Sequence, residues 1–241
     1  GLGRMGQSLA LEAARIGHYA NLRRLRLSVV DREAETRLKT FYGHHPQFPR
    51  VCDVEFLDGD AEEIAVLERI GRWAEEAGSL TTVAVCLDHD SRAFSTALEL
   101  SSRLASTRTP LWVRLSAESG LASLAPGRGD AGAWKTEVHA FGGMRGACTL
   151  DKLSRSGRDT LARAIHESFM GERATEGRAA DDPSMRPWET LAETLKNSNR
   201  QQADHIAVKL RAIGCRSVPT GAGNSDSFSL TDTEVELLAA M

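Results

Sequence analysis

A glycine-rich segment with the spacing of a phosphate-binding turn opens the chain. It reads Gly1-Leu2-Gly3-Arg4-Met5-Gly6, a G-x-G-x-x-G pattern. Glycines at these positions permit a tight turn, close approach of the backbone to a pyrophosphate, and close packing of a helix on a strand. The helical pattern that follows directs its first N–H groups and its dipole toward a bound anion. The segment therefore predicts a nucleotide site, and the alternative is a glycine-rich turn that binds nothing.

An acidic residue stands where such a site needs one. Asp31 ends a β-branched run, 25 positions after Gly6. An acid at about this spacing accepts hydrogen bonds from the hydroxyls of an adenosine ribose. A carboxylate there favours NAD over NADP because it repels a 2′-phosphate, and the adjacent Arg32 softens that preference.

Two further carboxylates follow later strand-like runs. Asp60 stands in the turn after the second run, where it either lines the adenine side of the pocket or caps a helix. Asp88 follows the third run, at the carboxyl end where doubly wound sheets bind ligands, and an ordinary helix cap is its alternative. His89 lies between Asp88 and Asp90 without further ligands nearby, so we expect no metal site.

Strand-like and helix-like runs alternate over about the first 145 residues. Helical patterns lie at 5–16, 61–77 and 91–106, and strand patterns at 25–30, 51–57, 81–87, 111–115 and 137–141. This alternation predicts an α/β fold, a Rossmann-like doubly wound parallel sheet. The strand that should precede Gly1 is missing from the pattern, so we expect the chain to be a piece of a longer protein.

Composition excludes several classes of protein. The 241 residues are 41% hydrophobic and 26% charged, which is typical of a globular domain. The formal net charge of −3 argues against a nucleic-acid partner. The cysteines, Cys52, Cys86, Cys148 and Cys215, form no C-x-x-C pair, which favours reduced thiols and a cytoplasmic setting. No apolar run approaches the roughly 20 residues of a membrane-spanning helix, although such a segment could lie upstream of Gly1.

Four segments together resemble the TrkA-N family, the Rossmann-type regulatory domains (also called RCK or KTN) of potassium channels and transporters. They are GLGRMG, VVD, FLDGDAEE and VAVCLDHD, within about residues 1–145. The resemblance implies a domain that senses NAD(H) or an adenine nucleotide (ATP, ADP or AMP) and works as a homo-oligomer such as a dimer. By position it implies a phosphate loop of Gly1, Gly3, Arg4, Met5 and Gly6, a ribose site at Asp31 and Arg32, and Asp60 near the adenine.

The second part of the chain has only helical patterns, and residues 159–214 resemble the RyR domain, the repeat named after ryanodine receptors. The segments that carry the resemblance are LARAIHESF, PWETL, LKNSNRQQAD and a final IG. The pattern departs at Ser168-Phe169, where Arg-Trp is usual, which puts in doubt that this face binds as in other copies. A ligand or partner site would draw on His166, Trp188, Asn199 and Arg200. The alternative is that Trp188 is core, Asn199 caps a helix, and Arg200 pairs with an acid such as Glu167.

These patterns predict four segments. Their composition marks 217–232 as a linker, and the two resemblances imply a nucleotide-binding domain over 1–148, an RyR domain over 149–216 and the start of a second, truncated RyR repeat over 233–241. The helix predicted over 199–213 is expected to end at Gly214. The helix of the last segment is expected to begin with a cap at Thr231 and Glu234.

The function predicted is a non-enzymatic, ligand-sensing regulatory protein whose output passes to a membrane ion channel or transporter segment, as the cytosolic part of such a protein. The alternatives are a soluble NAD-dependent oxidoreductase and a scaffold with a vestigial nucleotide pocket. An enzyme is not favoured because neither Tyr19 nor Tyr42 has a lysine four residues later. The pair His44-His45 falls in a predicted loop with Pro46 and Pro49.

Overall fold

The chain forms two compact units, Gly1–Ala147 and Cys148–Met241. The structure is a computed structural model that describes residues 1–19, 21–107, 109–116, 120–121, 136, 138–143, 156–175, 182–215 and 229–241. The predicted boundary at 148–149 and positions 217–228 of the predicted linker lie outside the described residues. The two units are therefore described separately.

The first unit alternates helices with parallel strands. Its described helices are α1 (Arg4–Ile16), α2 (Ala34–His44), α3 (Phe48–Val51), α4 (Ile64–Ala74) and α5 (Asp90–Arg103). Its described strands are β1 (Leu25–Asp31), β2 (Cys52–Asp58), β3 (Val83–Val85), β4 (Leu111–Arg114) and β5 (Val138–Phe141). The α/β class is thereby confirmed, and each predicted strand is found with ends that shift by up to two residues.

Helices α2 and α3 occupy a segment that the sequence did not predict to be helical. The loop predicted around His44-His45 is found in part: positions 45–47 lie between the two helices, whereas His44 ends α2 and Pro49 lies in the first turn of α3. A proline is compatible with the first turn of a helix because the N–H it lacks has no intrahelical partner there. Phe41 and Phe48 fix the two helices together, with ring centroids 4.8 Å apart in an edge-to-face arrangement.

The strands form two parallel sheets, where the sequence predicted one. Strand β1 pairs with β2 from Leu25↔Cys52 to Asp31↔Asp58, and the second sheet has the order β3-β4-β5. No described strand of one sheet pairs with a described strand of the other, so no backbone ladder between described strands joins the two sheets. The parallel direction places the carboxyl ends of the strands of each sheet at one edge.

Each sheet has its own hydrophobic core. Leu2, Ala10, Val29, Phe41 and Cys52 belong to the core that packs α1, α2 and α3 on the first sheet. The second core is built on α5 and the sheet β3-β4-β5; its largest fully buried members are Leu100, Leu104, Leu111, Val113 and Leu115. Burying one such leucine or phenylalanine stabilises the fold by about 1.5–3 kcal/mol. The first core holds the glycine-rich segment in place, since Leu2 belongs to it and is 2% exposed.

All described elements of the second unit are helical. They are α6 (Ser156–Thr175), 3₁₀ turns at Pro183–Met185 and Trp188–Thr190, α7 (Glu193–Ala212) and α8 (Asp232–Ala240). The predicted end of α7 is confirmed: Gly214 has a φ of +73°, and the N–H of Cys215 donates to the carbonyl of Leu210. The capping box predicted from Thr231 and Glu234 is present at the start of α8.

Candidate functional site

The glycine-rich segment forms the start of α1. Gly3 is the residue before the helix, in an extended conformation, and its carbonyl accepts the first helical hydrogen bond, from the N–H of Gln7 at 2.9 Å. The N–H groups of Arg4, Met5 and Gly6 precede that bond, so they have no carbonyl partner within the helix. Gly3 has no side chain to cap them. These N–H groups carry the positive end of the helix dipole and suit an anionic ligand.

The three glycines differ in what surrounds them. A Cβ added at Gly6 would lie 2.0 Å from the carbonyl oxygen of Gly1, so the helix can pack on the segment only if residue 6 is glycine. A Cβ at Gly3 would meet no atom of the described residues within 4 Å. The space beside Gly3 is therefore open, at the point where the N–H groups of α1 begin.

Asp31 fixes the glycine-rich segment through a hydrogen bond to its backbone. Its Oδ2 accepts the N–H of Leu2 at 2.8 Å, and its Oδ1 accepts the N–H of Glu33 at 3.0 Å. Arg37 places Nε 3.2 Å from Oδ1 without hydrogen-bond alignment, so it acts as a nearby positive charge. Burial opposes ionisation, but the two backbone hydrogen bonds and Arg37 outweigh it and lower the pKa of Asp31.

The segment lies at the carboxyl ends of strands from both sheets. A Cβ at Gly1 would be 3.1 Å from Oδ2 of Asp31, the last residue of β1, and 3.7 Å from the carbonyl oxygen of Cys86, which follows β3. This is the position at which open α/β sheets bind ligands. Burial raises the pKa of the Cys86 thiol, which keeps it protonated at neutral pH.

Asp60 and Arg32 are brought together beside Asp31. The N–H of Gly59 donates to the carbonyl of Asp31 at 3.2 Å, which places the turn after β2 next to the end of β1. Asp60 then forms ion pairs with Arg32 and, at 3.0 Å, with Arg92 of α5. Asp60 therefore faces two guanidinium groups, and it does not cap α4, whose first residue is Ile64.

The side chain of Asp88 is exposed, and the contact described for this residue is made by its backbone carbonyl. Arg114 Nη1 donates to the carbonyl of Leu87 at 2.9 Å and reaches the carbonyl of Asp88 at 3.5 Å. Asp90 accepts both the N–H and the hydroxyl of Ser116, at 2.7 and 2.8 Å. These contacts tie the turn after β3 to the end of β4.

The sequence analysis missed two cations at this edge of the sheets, Arg92 and Arg114. Arg114 is the last residue of β4, and a polar residue ending a buried strand is a signal that could have identified it. Arg92 stands in the first turn of α5, and no pattern in the sequence indicates that it reaches Asp60.

In the second unit, the structure brings three of the four predicted residues together. His166 is 2% exposed, and its Nε2 lies 2.8 Å from the carbonyl oxygen of Arg186. The ring of His166 lies 6.0 Å from that of Trp188, which is 6% exposed. The guanidinium of Arg200 lies 6.0 Å from the same indole ring.

Arg200 is held by carboxylates other than the one expected. Its Nε and Nη2 donate to the two oxygens of Asp159 at 2.7 and 2.9 Å, and Nη1 donates to Glu193 at 2.5 Å. The expected partner Glu167 is not among these contacts. Hydrogen bonds to Asp159 and Glu193 raise the pKa of Arg200 further above its usual range.

Asn199 does not cap a helix. It lies within α7, which begins at Glu193, and its Nδ2 donates to the carbonyl of Leu195 at 2.9 Å. The expectation of a helix start at Asn199 was therefore wrong. The polar run around it continues the helix because its outward positions are solvated while Leu195 and Ala203 pack on the core of Ala162, Trp188 and Leu191.

Comparison with known proteins adds no relative: no family model matches the chain, and no curated protein or solved structure is significantly similar to it. Among the described residues, no group of three or more His, Cys, Asp or Glu side chains converges as a metal site would require. No helix in the described part of the chain combines the length and apolar composition of a bilayer crossing.

Proposed function

We propose that residues 1–148 bind NAD(H) or an adenine nucleotide (ATP, ADP or AMP) and act as a regulatory sensor rather than an enzyme. The observation that carries the proposal is the open space beside Gly3, bordered by the unpaired N–H groups of Arg4, Met5 and Gly6. Phosphate oxygens accept hydrogen bonds from such groups, and the helix dipole adds a favourable charge interaction.

Asp31 is suited to the ribose that accompanies those phosphates. Each of its oxygens accepts one backbone N–H, from Leu2 or from Glu33. A carboxylate has about four lone-pair sites, so two remain for ribose hydroxyls. Because the N–H of Leu2 belongs to the glycine-rich segment, one carboxylate links the expected phosphate and ribose positions.

The side chains around the segment suit binding more than chemistry. Asp60 is paired with two arginines, Asp90 with Ser116, and Arg114 with the carbonyl of Leu87. A general acid or base needs a proton that moves during the reaction, and groups locked in such pairs resist that change. The Cys86 thiol, protonated because of its burial, is a weak nucleophile.

The wider proposal follows the two family resemblances. The second unit senses another ligand or docks a partner as an RyR domain, and a homo-oligomer, such as a dimer, passes the signal to a membrane ion channel or transporter segment. A nucleotide that binds one arrangement of the protein more tightly than another shifts the population toward it, and no reaction is needed. In this proposal the described residues belong to the cytosolic part of the protein.

Calorimetric titration with NAD, NADH, ATP, ADP and AMP tests the proposal. We expect one of these to bind without turnover, and Asp31→Ala and Gly3→Asp to abolish binding. Gly3→Asp is informative because its carboxylate would enter the open space and repel phosphate while leaving the surrounding packing intact. A folded protein that binds none of the five would overturn the proposal, and conversion of the nucleotide would favour the oxidoreductase.

A further inference from the structure

One carboxylate beside Asp31, that of Asp60, contacts two guanidinium groups. Asp60 forms an ion pair with Arg32, the residue that follows Asp31, and another with Arg92 at 3.0 Å. Glu62 accepts from Arg92 as well, at 2.8 Å. The side chain of Asp60 is 20% exposed, whereas that of Arg32 is 61% exposed.

Asp60 is fixed in this position by its own backbone and its neighbours. Its N–H donates to Glu63 Oε1 at 3.1 Å, and its Oδ1 accepts the N–H of Glu62 at 3.3 Å. The turn therefore presents the carboxylate to both arginines from a rigid base. Since the carboxylate accepts from both, it offsets much of the positive charge that they would otherwise offer to a ligand.

The place of this cluster gives it a consequence for ligand choice. If Asp31 holds a ribose, two cations lie near a phosphate on the 2′ oxygen: Arg37, whose Nε is 3.2 Å from Asp31 Oδ1, and Arg32, the one that Asp60 holds. Arginine binds phosphate in a bidentate manner, and such contacts are how nucleotide sites accept a 2′-phosphate. With Arg32 and Arg92 paired to Asp60, a phosphate contact to Arg32 has to compete with an ion pair already formed.

We propose that Asp60 is a positioning residue that sets nucleotide specificity: by holding Arg32 and Arg92, it restricts the site to adenosine nucleotides with a free 2′-hydroxyl. This inference rests on the proposed nucleotide site. It assigns the selection against a 2′-phosphate to two carboxylates, Asp31 by direct repulsion and Asp60 through the arginines.

A purely structural role for Asp60 has a different signature. If Asp60 only tied the turn after β2 to α5, removing its charge would weaken NAD and NADP binding by the same factor. If Asp60 keeps the arginines from contacting a 2′-phosphate, removing its charge raises the affinity for NADP relative to that for NAD. The ratio of the two dissociation constants separates these roles.

The test measures NAD and NADP binding to the wild type, Asp60→Asn and Asp60→Glu by calorimetry. The wild type is expected to prefer NAD, Asp60→Asn to raise NADP affinity relative to NAD by about tenfold, and Asp60→Glu to restore the preference. Adding Arg32→Ala to Asp60→Asn should remove the gain. The matched control is Asp53→Asn, which breaks an exposed ion pair with Arg24 at the other end of β2 and should leave the ratio unchanged.

Each result decides the inference. An unchanged ratio in Asp60→Asn, or a wild type that prefers NADP, overturns it while the nucleotide site stands. Binding of neither NAD nor NADP by the wild type also overturns the inference, and the proposed nucleotide site falls with it only if NADH, ATP, ADP and AMP fail to bind as well. If Asp60→Asn does not fold, the single variant Arg32→Ala replaces it. Unchanged NADP affinity in Arg32→Ala supports the inference, because Asp60 then already keeps Arg32 from the ligand. A tenfold loss of NADP affinity contradicts the inference.

Discussion

The carboxylate of Asp31 accepts the backbone N–H of Leu2 at 2.8 Å, although 29 positions separate the two residues in the chain. This hydrogen bond joins the end of β1 to the segment that begins α1. It fixes the glycine-rich segment against the sheet and leaves the N–H groups of the first helical turn facing open space. The candidate site depends on this one contact more than on any other.

Replacing Asp31 with asparagine is expected to destabilise the first unit by about 1–2 kcal/mol near neutral pH, because charge-assisted hydrogen bonds from two backbone N–H groups are weakened. The effect should depend on pH. The pKa of Asp31 is lowered in the folded protein, so its stabilisation is present above the ordinary carboxyl pKa of about 4 and is lost as the pH falls through the lower, folded value.

Urea unfolding of the wild type and Asp31→Asn between about pH 7 and about pH 3 measures this dependence. The difference between the two proteins should shrink as the pH falls. Asp53→Asn is the control, since its exposed carboxylate forms an ion pair with Arg24 rather than hydrogen bonds to the glycine-rich segment. A difference that stays constant across the range would contradict the role assigned to Asp31.

Alanine at Gly6 should destabilise the protein, whereas alanine at Gly3 should leave its stability almost unchanged. Gly6→Ala places a Cβ 2.0 Å from a carbonyl oxygen and is expected to cost about 1–3 kcal/mol of stability. Gly3→Ala meets no atom of the described residues within 4 Å and should change stability by less than about 0.5 kcal/mol, while its methyl group occupies the ligand space. Thermal and urea unfolding compare the two variants, and equal stabilities would show that the segment is not packed as described.

The second unit offers a matched pair of arginines. Arg200→Lys loses the two-pronged contact with Asp159, in which both partners are largely buried, and should cost about 1–2 kcal/mol. Arg163→Lys alters an exposed ion pair with Glu189 and should cost less than about 0.5 kcal/mol. Urea unfolding of both variants is the measurement. Arg200→Lys as stable as the wild type would mean that Arg200 is free to hold a ligand.

The sequence predicted those elements whose signals are local. Runs of β-branched residues marked the strands, and Gly214 and the Thr231–Glu234 box marked helix ends, because each depends on neighbouring residues alone. Helix α2 was not predicted because it has few apolar residues and many charged ones, so its sequence shows no clear helical spacing of apolar positions. The pairing of the strands into two sheets depends on contacts between distant segments, which local patterns do not encode.

The candidate sites likewise combine features that local sequence patterns predict with contacts between distant residues that they do not predict. The spacing of the glycines and Asp31 was readable, and the structure places them in contact. The ion pairs of Asp60 with Arg92, and of Arg200 with Asp159, join residues 32 and 41 positions apart. Asn199 was misassigned as a cap because asparagine before a charged run resembles a helix start, whereas tertiary packing extends α7 six residues further toward the N-terminus.

The central claim is that the open space beside Gly3 receives the phosphates of an adenine nucleotide, and backbone-amide NMR tests it most directly. Titration with ADP or NAD should shift the amide signals of Gly3, Arg4, Met5 and Gly6 and those around Asp31, and these shifts should vanish in Gly3→Asp. Saturating nucleotide that leaves these signals unmoved, or that shifts only signals of α6 and α7, would contradict the claim.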